Sequence, residues 1–312
     1  MKKIYKLTPS LHANLWGGVK LRDYGKVSDA DRIGESWELS FVESAPAKLD
    51  DGRTTIEAFP KSVWGTDCAD FDFFPVLTKF IDAREKLSVQ VHPADDYALA
   101  NEGQYGKSEM WYVVDAEEGA GLYMGLNKHS TPDELARAIS DGSVENMLSF
   151  KPVKRGDVFF IPAGTIHAIG AGVLIYEIQQ NSTLTYRLYD YLRRDKDGNL
   201  RELHVEKAMK VLKAEPYTYE DFSAEEHVIG KCKYFTTKEY TLADSGIELT
   251  VTSASFLMLT SVCGSGAISY TESDGSIVKV ALALGETCFI PAQEKPLSIS
   301  VSGDMTLITV EV

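Results

Sequence analysis

Residues 154–191 read KRGDVFFIPAGTIHAIGAGVLIYEIQQNSTLTYRLYDY, and the spacing within them decides how the rest of the chain is read. Gly156 is followed after five residues by Pro162, then by Gly164 and His167. Asp157–Ile161 is a short, mostly apolar run and predicts a strand. Pro162-Ala163-Gly164 is turn chemistry, a fixed φ followed by a permissive one. His167 then opens the next strand with its imidazole at a set position above the turn. A lone histidine is commonly a satisfied core or surface side chain. Here a second half-site upstream turns the reading towards a metal ligand.

That half-site runs from Leu87 to Glu109. In LSVQVHP the residues Leu87, Val89 and Val91 alternate with Ser88, Gln90 and His92. A period of two places Gln90 and His92 on one face of a strand, and Pro93 ends it because it has no N–H for a ladder. Glu109 follows in KSEMWYVV, where Glu109, Trp111 and Val113 share one face of another strand. Two imidazoles, a carboxylate and an amide oxygen suit a divalent ion. Strands this far apart in the chain converge on one ion only if the sheet curves, which points to a β-barrel.

The G-x5-P-x-G-x2-H spacing matches the second sequence motif of the cupin superfamily. The set QVHP, KSEMWYV, PAGTIHA and IQQNSTLTYRLYDY resembles the type I phosphomannose isomerases (mannose-6-phosphate isomerases), in their short bacterial form. The resemblance covers nearly the whole chain, beginning at Trp16-Gly17-Gly18 and Gly34–Glu38. It implies metal ligands at Gln90, His92, Glu109 and His167, a catalytic arginine at Arg187 and an active-site lysine at Lys107. It also places Trp16 near the substrate and implies one Zn2+ per chain. By ligand type alone, manganese, iron or cobalt remain open. Longer relatives carry an aspartate four residues before the arginine, where this chain has Thr183, so an acid–base role for that aspartate does not carry over.

The composition is that of an ordinary globular protein of 312 residues, 44% hydrophobic and 25% charged. A net charge of −14 argues against nucleic acid or an anionic membrane surface as partner. A phosphorylated substrate is also an anion, so its pocket must be locally positive. Cys68, Cys232, Cys263 and Cys288 are scattered with no C-x-x-C pair, which fits thiols in a reducing cytoplasm. MKKIYKLTPS lacks an apolar stretch after its lysines, so no signal peptide is expected. Oligomeric state stays open between monomer and homodimer.

The expected fold is mainly β, a bicupin of two β-barrel (jelly-roll) domains with a small helical insert. Residues 1–226 form the catalytic domain, with the insert at about 94–150, and residues 227–312 a degenerate second barrel. Thr131-Pro132-Asp133-Glu134 is a helix start with a capping box, Gly142 a plausible stop, and Val144–Phe150 reads as a further short helix. Val173–Ile178 is nearly all apolar and predicts a buried strand. Thr183–Tyr191 alternates and predicts a strand with Arg187 on its polar face. His204–Leu212 has a helical stripe. From about Val228 short strands recur at regular spacing. Among them Gly285 precedes Pro291 by the spacing of Gly156 and Pro162, but Gln293 and Pro296 stand where Gly164 and His167 would.

An ion held by one carboxylate keeps a local charge of about +1, to which Lys107 and Arg187 add. Aldose–ketose isomerisation needs a proton removed beside a carbonyl, and a Lewis acid stabilises the resulting enediolate. Arg187 is a poor base because its pKa stays above about 12, so it suits charge stabilisation or orientation. Lys107 could be the base or could hold phosphate, with Ser108 a further phosphate contact. Glu177 is an acid–base candidate or a supporting partner. The expected function is interconversion of mannose 6-phosphate and fructose 6-phosphate through an enediol. The alternatives are an iron-dependent cupin oxygenase and a non-catalytic, metal-stabilised sugar-phosphate-binding bicupin.

Overall fold

The computed structural model describes residues 2–194, 197–243 and 246–312. Along the chain the strands are β1 (Tyr5–Thr8), β2 (Ser10–His12), β3 (Glu35–Leu39), β4 (Lys48–Leu49), β5 (Val76–Ala83), β6 (Val89–Val91), β7 (Glu109–Ala116), β8 (Gly121–Leu126), β9 (Leu148–Pro152) and β10 (Val158–Ile161). They continue as β11 (His167–Ile169), β12 (Val173–Gln180), β13 (Tyr186–Tyr189), β14 (Val228–Lys231), β15 (Thr236–Leu242), β16 (Gly246–Val251), β17 (Leu257–Thr271), β18 (Ile277–Leu282), β19 (Thr287–Ile290) and β20 (Leu297–Glu311). The α-helices are α1 (Thr55–Ala58), α2 (Asp95–Glu102), α3 (Pro132–Asp141) and α4 (Val205–Val211). Among the described residues no helix is long and apolar enough to cross a membrane.

Three antiparallel sheets form the body. A six-stranded sheet runs β10-β7-β12-β5-β3-β2 and a five-stranded sheet runs β13-β6-β11-β8-β9. Their inner faces meet over Ile81, Trp111, Val113, Leu122, Met124, Ile169 and Ile175, the lining of the first barrel. The outer face of the five-stranded sheet is covered by α3 and α4 through Leu135, Ala138, Ile139 and Ala208. The outer face of the six-stranded sheet packs through Phe80, Met110, Tyr112 and Tyr176 against Phe256 and against Met258, Phe289 and Ile308 of the third sheet. That sheet runs β14-β15-β20-β17-β19-β1-β4, with β16 on β20 and β18 on β17, and encloses a separate apolar core. This mainly β, two-barrel arrangement is the expected fold class.

Local expectations hold where the local signal is complete. Thr131 caps α3 with Glu134 closing the capping box, Pro132 sits in the first turn, and Gly142 ends the helix in the left-handed region. β12 is buried along its whole length.

The differences arise where distant partners compete. The stretch 94–150 is not one helical insert: α2 and α3 are separated by β7 and β8, which belong to the two sheets of the first barrel. Val144–Phe150 is helical only in its first part: a 3-10 helix, Ser143–Met147, runs into β9, whose Phe150 lies opposite Tyr123 on β8. The strand expected over Thr183–Tyr191 shrinks to β13. The Thr183 N–H donates to Gln104 Oε1 and the Leu184 N–H to Ser182 Oγ, so side chains replace the ladder there. At the far end Tyr191 and Leu192 take φ of 52° and 54°, which ends the strand. The division at 226/227 is crossed as well, because β1 and β4 join the third sheet beside β19 and give that edge a partner.

A buried ion pair ties the N-terminal segment to both barrels. Lys26 Nζ lies 2.8 Å from Glu38 Oε1 and donates to the Gly285 carbonyl at 2.7 Å. Ser36 Oγ donates to Glu38 at 2.6 Å. Removing one partner of such a pair strands the other charge in a dry interface. The Lys26→Met variant should lose about 3–5 kcal/mol of unfolding free energy, read as a lower midpoint in urea denaturation.

Candidate metal centre and active site

Register across the two inner faces assembles the site. His167 lies opposite Gln90, and Gln90 lies opposite Arg187, so β11, β6 and β13 present a row of three polar side chains. On the facing sheet Trp111 pairs with Glu177, and Glu177 with Lys79. Glu109 lies two residues before Trp111, hence on the same face.

His92, Glu109 and His167 converge, with their ligand atoms all within 4.8 Å of one another and all three residues buried. His92 Nε2 is 3.5 Å from Glu109 Oε2, and His167 Nε2 is 3.3 Å from Glu109 Oε1. The Gln90 amide reaches His167 Nε2 at 3.3 Å, and a half-turn of that amide presents its oxygen instead. Donors bound tetrahedrally at 2.0–2.1 Å stand roughly 3.3–3.4 Å apart, so these separations fit a divalent ion. The tautomers fit too. His92 Nδ1 is 2.7 Å from the Leu184 carbonyl and His167 Nδ1 is 2.9 Å from the Thr165 carbonyl. A carbonyl only accepts, so each Nδ1 carries the hydrogen and each Nε2 keeps a lone pair facing Glu109. Glu109 Oε1 is buried without a hydrogen-bond partner.

Burial keeps the two imidazole donors unprotonated and works against ionisation of the carboxylate between them. Burial lowers the His167 pKa to about 4 and drives that of His92 well below its ordinary value, Lys107 adding to the latter. Burial and then Glu177 push the Glu109 carboxyl up. Lys107 Nζ sits 2.5 Å from Glu109 Oε2 and 3.7 Å from Glu177. Burial alone would lower the Lys107 pKa, but the two carboxylates outweigh it and hold the ammonium charged. Burial likewise opposes ionisation of Glu177, yet Lys107, Lys79 and the Trp111 N–H hold its carboxyl below the usual range. Trp111 Nε1 donates to Glu177 Oε2 at 2.8 Å.

A cavity of about 310 Å³ opens beside the cluster, lined by Trp16, Ser88, Gln90, Lys107, Glu177 and Arg187 among others. Arg187 is half-buried; one terminal nitrogen donates to the Glu202 carbonyl at 2.9 Å and its Nε is buried without a partner. Burial and then the neighbouring Arg201 lower its pKa, the mark of crowded cations that an anion would relieve. Asp190 is buried against Arg193 and Arg201, at 2.5 and 3.3 Å. Thr183 stands exposed at the rim with its hydroxyl on Gln104.

Ser108 does not line this cavity. Lys107 and Glu109 both turn inward, so Ser108 between them turns away, and its Oγ accepts the Ala163 N–H in the turn before His167. Lining residues beyond the expected site set include Ser88, Lys79, Glu35 and Arg201. Ser88 shares its strand face with Gln90 and His92, a readable signal. Lys79 is a charge inside the apolar run PVLTKFIDA, and such a charge is buried only when paired. It lies 3.5 Å from Glu177 and 3.6 Å from Glu35.

Comparison with known proteins adds the following. A family model described as the cupin domain of mannose-6-phosphate isomerase matches residues 223–312. The mannose-6-phosphate isomerase ManA of Bacillus subtilis is 35% identical over 89% of this chain and 93% of its own. The mannose-6-phosphate isomerase of Streptococcus mutans is 33% identical over 97% and 96%. The solved structure of the Bacillus subtilis mannose 6-phosphate isomerase superposes with a TM-score of 0.87 at 32% identity, covering 100% of both chains. A structure from Salmonella typhimurium, at 17% identity and a TM-score of 0.76, shares the fold.

The two serines separate by experiment. Ser88→Ala should raise KM for a bound anion or polyol roughly threefold to tenfold, the loss of one hydrogen bond. Ser108→Ala should leave KM within about twofold, its hydroxyl being spent on Ala163. Steady-state kinetics of the two variants checks both.

Proposed function

The chain belongs to the type I mannose-6-phosphate isomerases of the cupin superfamily, and from that premise we propose how its residues carry out the interconversion of mannose 6-phosphate and fructose 6-phosphate. His92, Glu109, His167 and the Gln90 oxygen would hold one divalent ion, zinc, and the observation that supports this is the pair of Nε2 lone pairs converging on Glu109. An ion bound there would supply Lewis acidity for the negative charge that develops on the substrate.

The chain's own groups do the rest. The reaction moves a proton between C2 and C1 through an enediol. Lys107 Nζ is already engaged by Glu109 and His92. Glu177 lines the same cavity and has one oxygen without a hydrogen-bond partner. That favours Glu177 as the group that takes the proton from one carbon and returns it to the other. Lys107, held charged between two carboxylates, donates to the developing enediolate oxygen. Arg187, Arg201 and Ser88 receive the phosphate, which adds counter-charge beside Asp190 to the arginine cluster and answers the net charge of −14 locally. Trp16 closes the cavity wall. The four cysteines are unpaired, which supports a reducing cytoplasmic setting.

Two outcomes follow. Treatment with a chelator should lower isomerase activity by roughly two orders of magnitude or more, and added zinc should restore it; a coupled assay for fructose 6-phosphate reads both. Glu177→Gln should lower kcat by roughly 10²–10⁴-fold while bound metal, measured by elemental analysis, stays at the wild-type level. Its exchange of substrate C1/C2 protons with deuterated solvent should fall in parallel.

A further inference from the structure

The second barrel has an apolar interior and, among the described residues, no cluster of metal-ligating side chains. Its contact with the six-stranded sheet is mostly aromatic and aliphatic. Through the middle of that dry contact runs a chain of polar groups. Tyr176 Oη is 2.8 Å from Thr260 Oγ1, and Thr260 Oγ1 is 2.8 Å from Thr287 Oγ1. Thr287 Oγ1 donates to Glu38 Oε2 at 3.3 Å, and Glu38 is held by Lys26 and Ser36. All of these side chains are buried.

Apolar side chains of the same shape would hold two sheets together at no desolvation cost. They would not fix how one sheet slides along the other, because apolar contact has no direction. Hydrogen bonds do. The chain attaches at telling places. Tyr176 is followed by Glu177, and Ser36 stands between Glu35 and Trp37. In a pleated strand, neighbours point to opposite faces. A residue clamped on the outer face therefore sets where its neighbour stands in the catalytic cavity, and Glu35 and Glu177 both line that cavity.

We propose that the second barrel is a positioning device for the isomerase reaction, with Thr260 and Tyr176 as the positioning residues that hold β12 in register and so fix the Glu177 carboxylate against the substrate. The proposal rests on the isomerase reading given above and adds what the metal-free barrel contributes to it. A misplacement of about 1 Å costs on the order of a hundredfold in rate when a reacting group is involved, so a clamp of this kind acts on kcat.

The test is a set of isosteric variants in the full-length, zinc-loaded enzyme. Thr260→Val should lower kcat at least roughly tenfold with KM and bound zinc within about twofold of wild type. Thr260→Ser, which keeps the hydroxyl, should recover most of the loss. The double variant Tyr176→Phe with Thr260→Val removes both partners, leaves no stranded hydroxyl between them, and should regain much of the thermal stability lost in Thr260→Val. On the proposal its kcat stays low despite the recovered Tm. Recovery of kcat together with Tm in the double variant would overturn the proposal, as would a wild-type kcat in Thr260→Val or a loss that tracks zinc content. Absence of isomerase activity in the wild-type control would instead sink the isomerase reading itself.

Discussion

A carboxylate fully enclosed in protein has to be answered by positive charge or by hydrogen-bond donors, because water cannot reach it. Glu109 is that carboxylate here, and much of the first barrel is arranged around it. Two imidazoles turn their lone pairs towards it because backbone carbonyls occupy their other nitrogens. Lys107 leans on it from two residues away. Lys107 then needs Glu177, Glu177 needs Lys79, and Lys79 needs Glu35. The result is a ladder of alternating charge across the inner face of one sheet. Such a ladder leaves no buried charge without an opposite neighbour.

The two barrels show what the same frame does with and without that constraint. Gly156 and Gly285 both take left-handed backbone, with φ of 87° and 78°, and both lead into a short strand that ends at a proline. After Pro162 the chain reaches His167 and the polar interior. After Pro291 it reaches Gln293 and Pro296, and the interior fills with Leu259, Ile290, Ile299 and Leu307. A barrel lined with charge pairs gains less from burial than one lined with aliphatic side chains. The second barrel thus supplies a rigid, dry wall against which the first can be held.

Reading the chain alone reached the site further than the fold around it. Gln90 and His92 share a face because they are two apart on one strand, and this is visible in any extended segment. The capping box at Thr131 is equally local. The outward turn of Ser108 is local as well: it alternates with Lys107 and Glu109, so if they face inward it cannot. The helices read into 94–150 were real only in part. An eight-residue run such as Glu109–Ala116 declares itself a strand, but nothing local states that it lies between β10 and β12. The apolar run around Lys79 shows that it needs a partner, but neither Lys79 nor Arg201 carries a sign of which residue that partner is until the chain is folded.

The sequence by itself determined the donor types, their spacing along each strand and the side of the strand each one faces, because the alternation of a pleated strand is a property of the chain segment. Only the tertiary structure decided that Gln90 and His167, 77 positions apart, stand side by side. It also decided that Glu177 faces the cavity with them, and that the N-terminal β1 joins the sheet of the far barrel. Those pairings depend on which strand edges meet, and an edge offers the same row of N–H and C=O groups whatever side chains it bears, so the choice is made by the packing of whole faces.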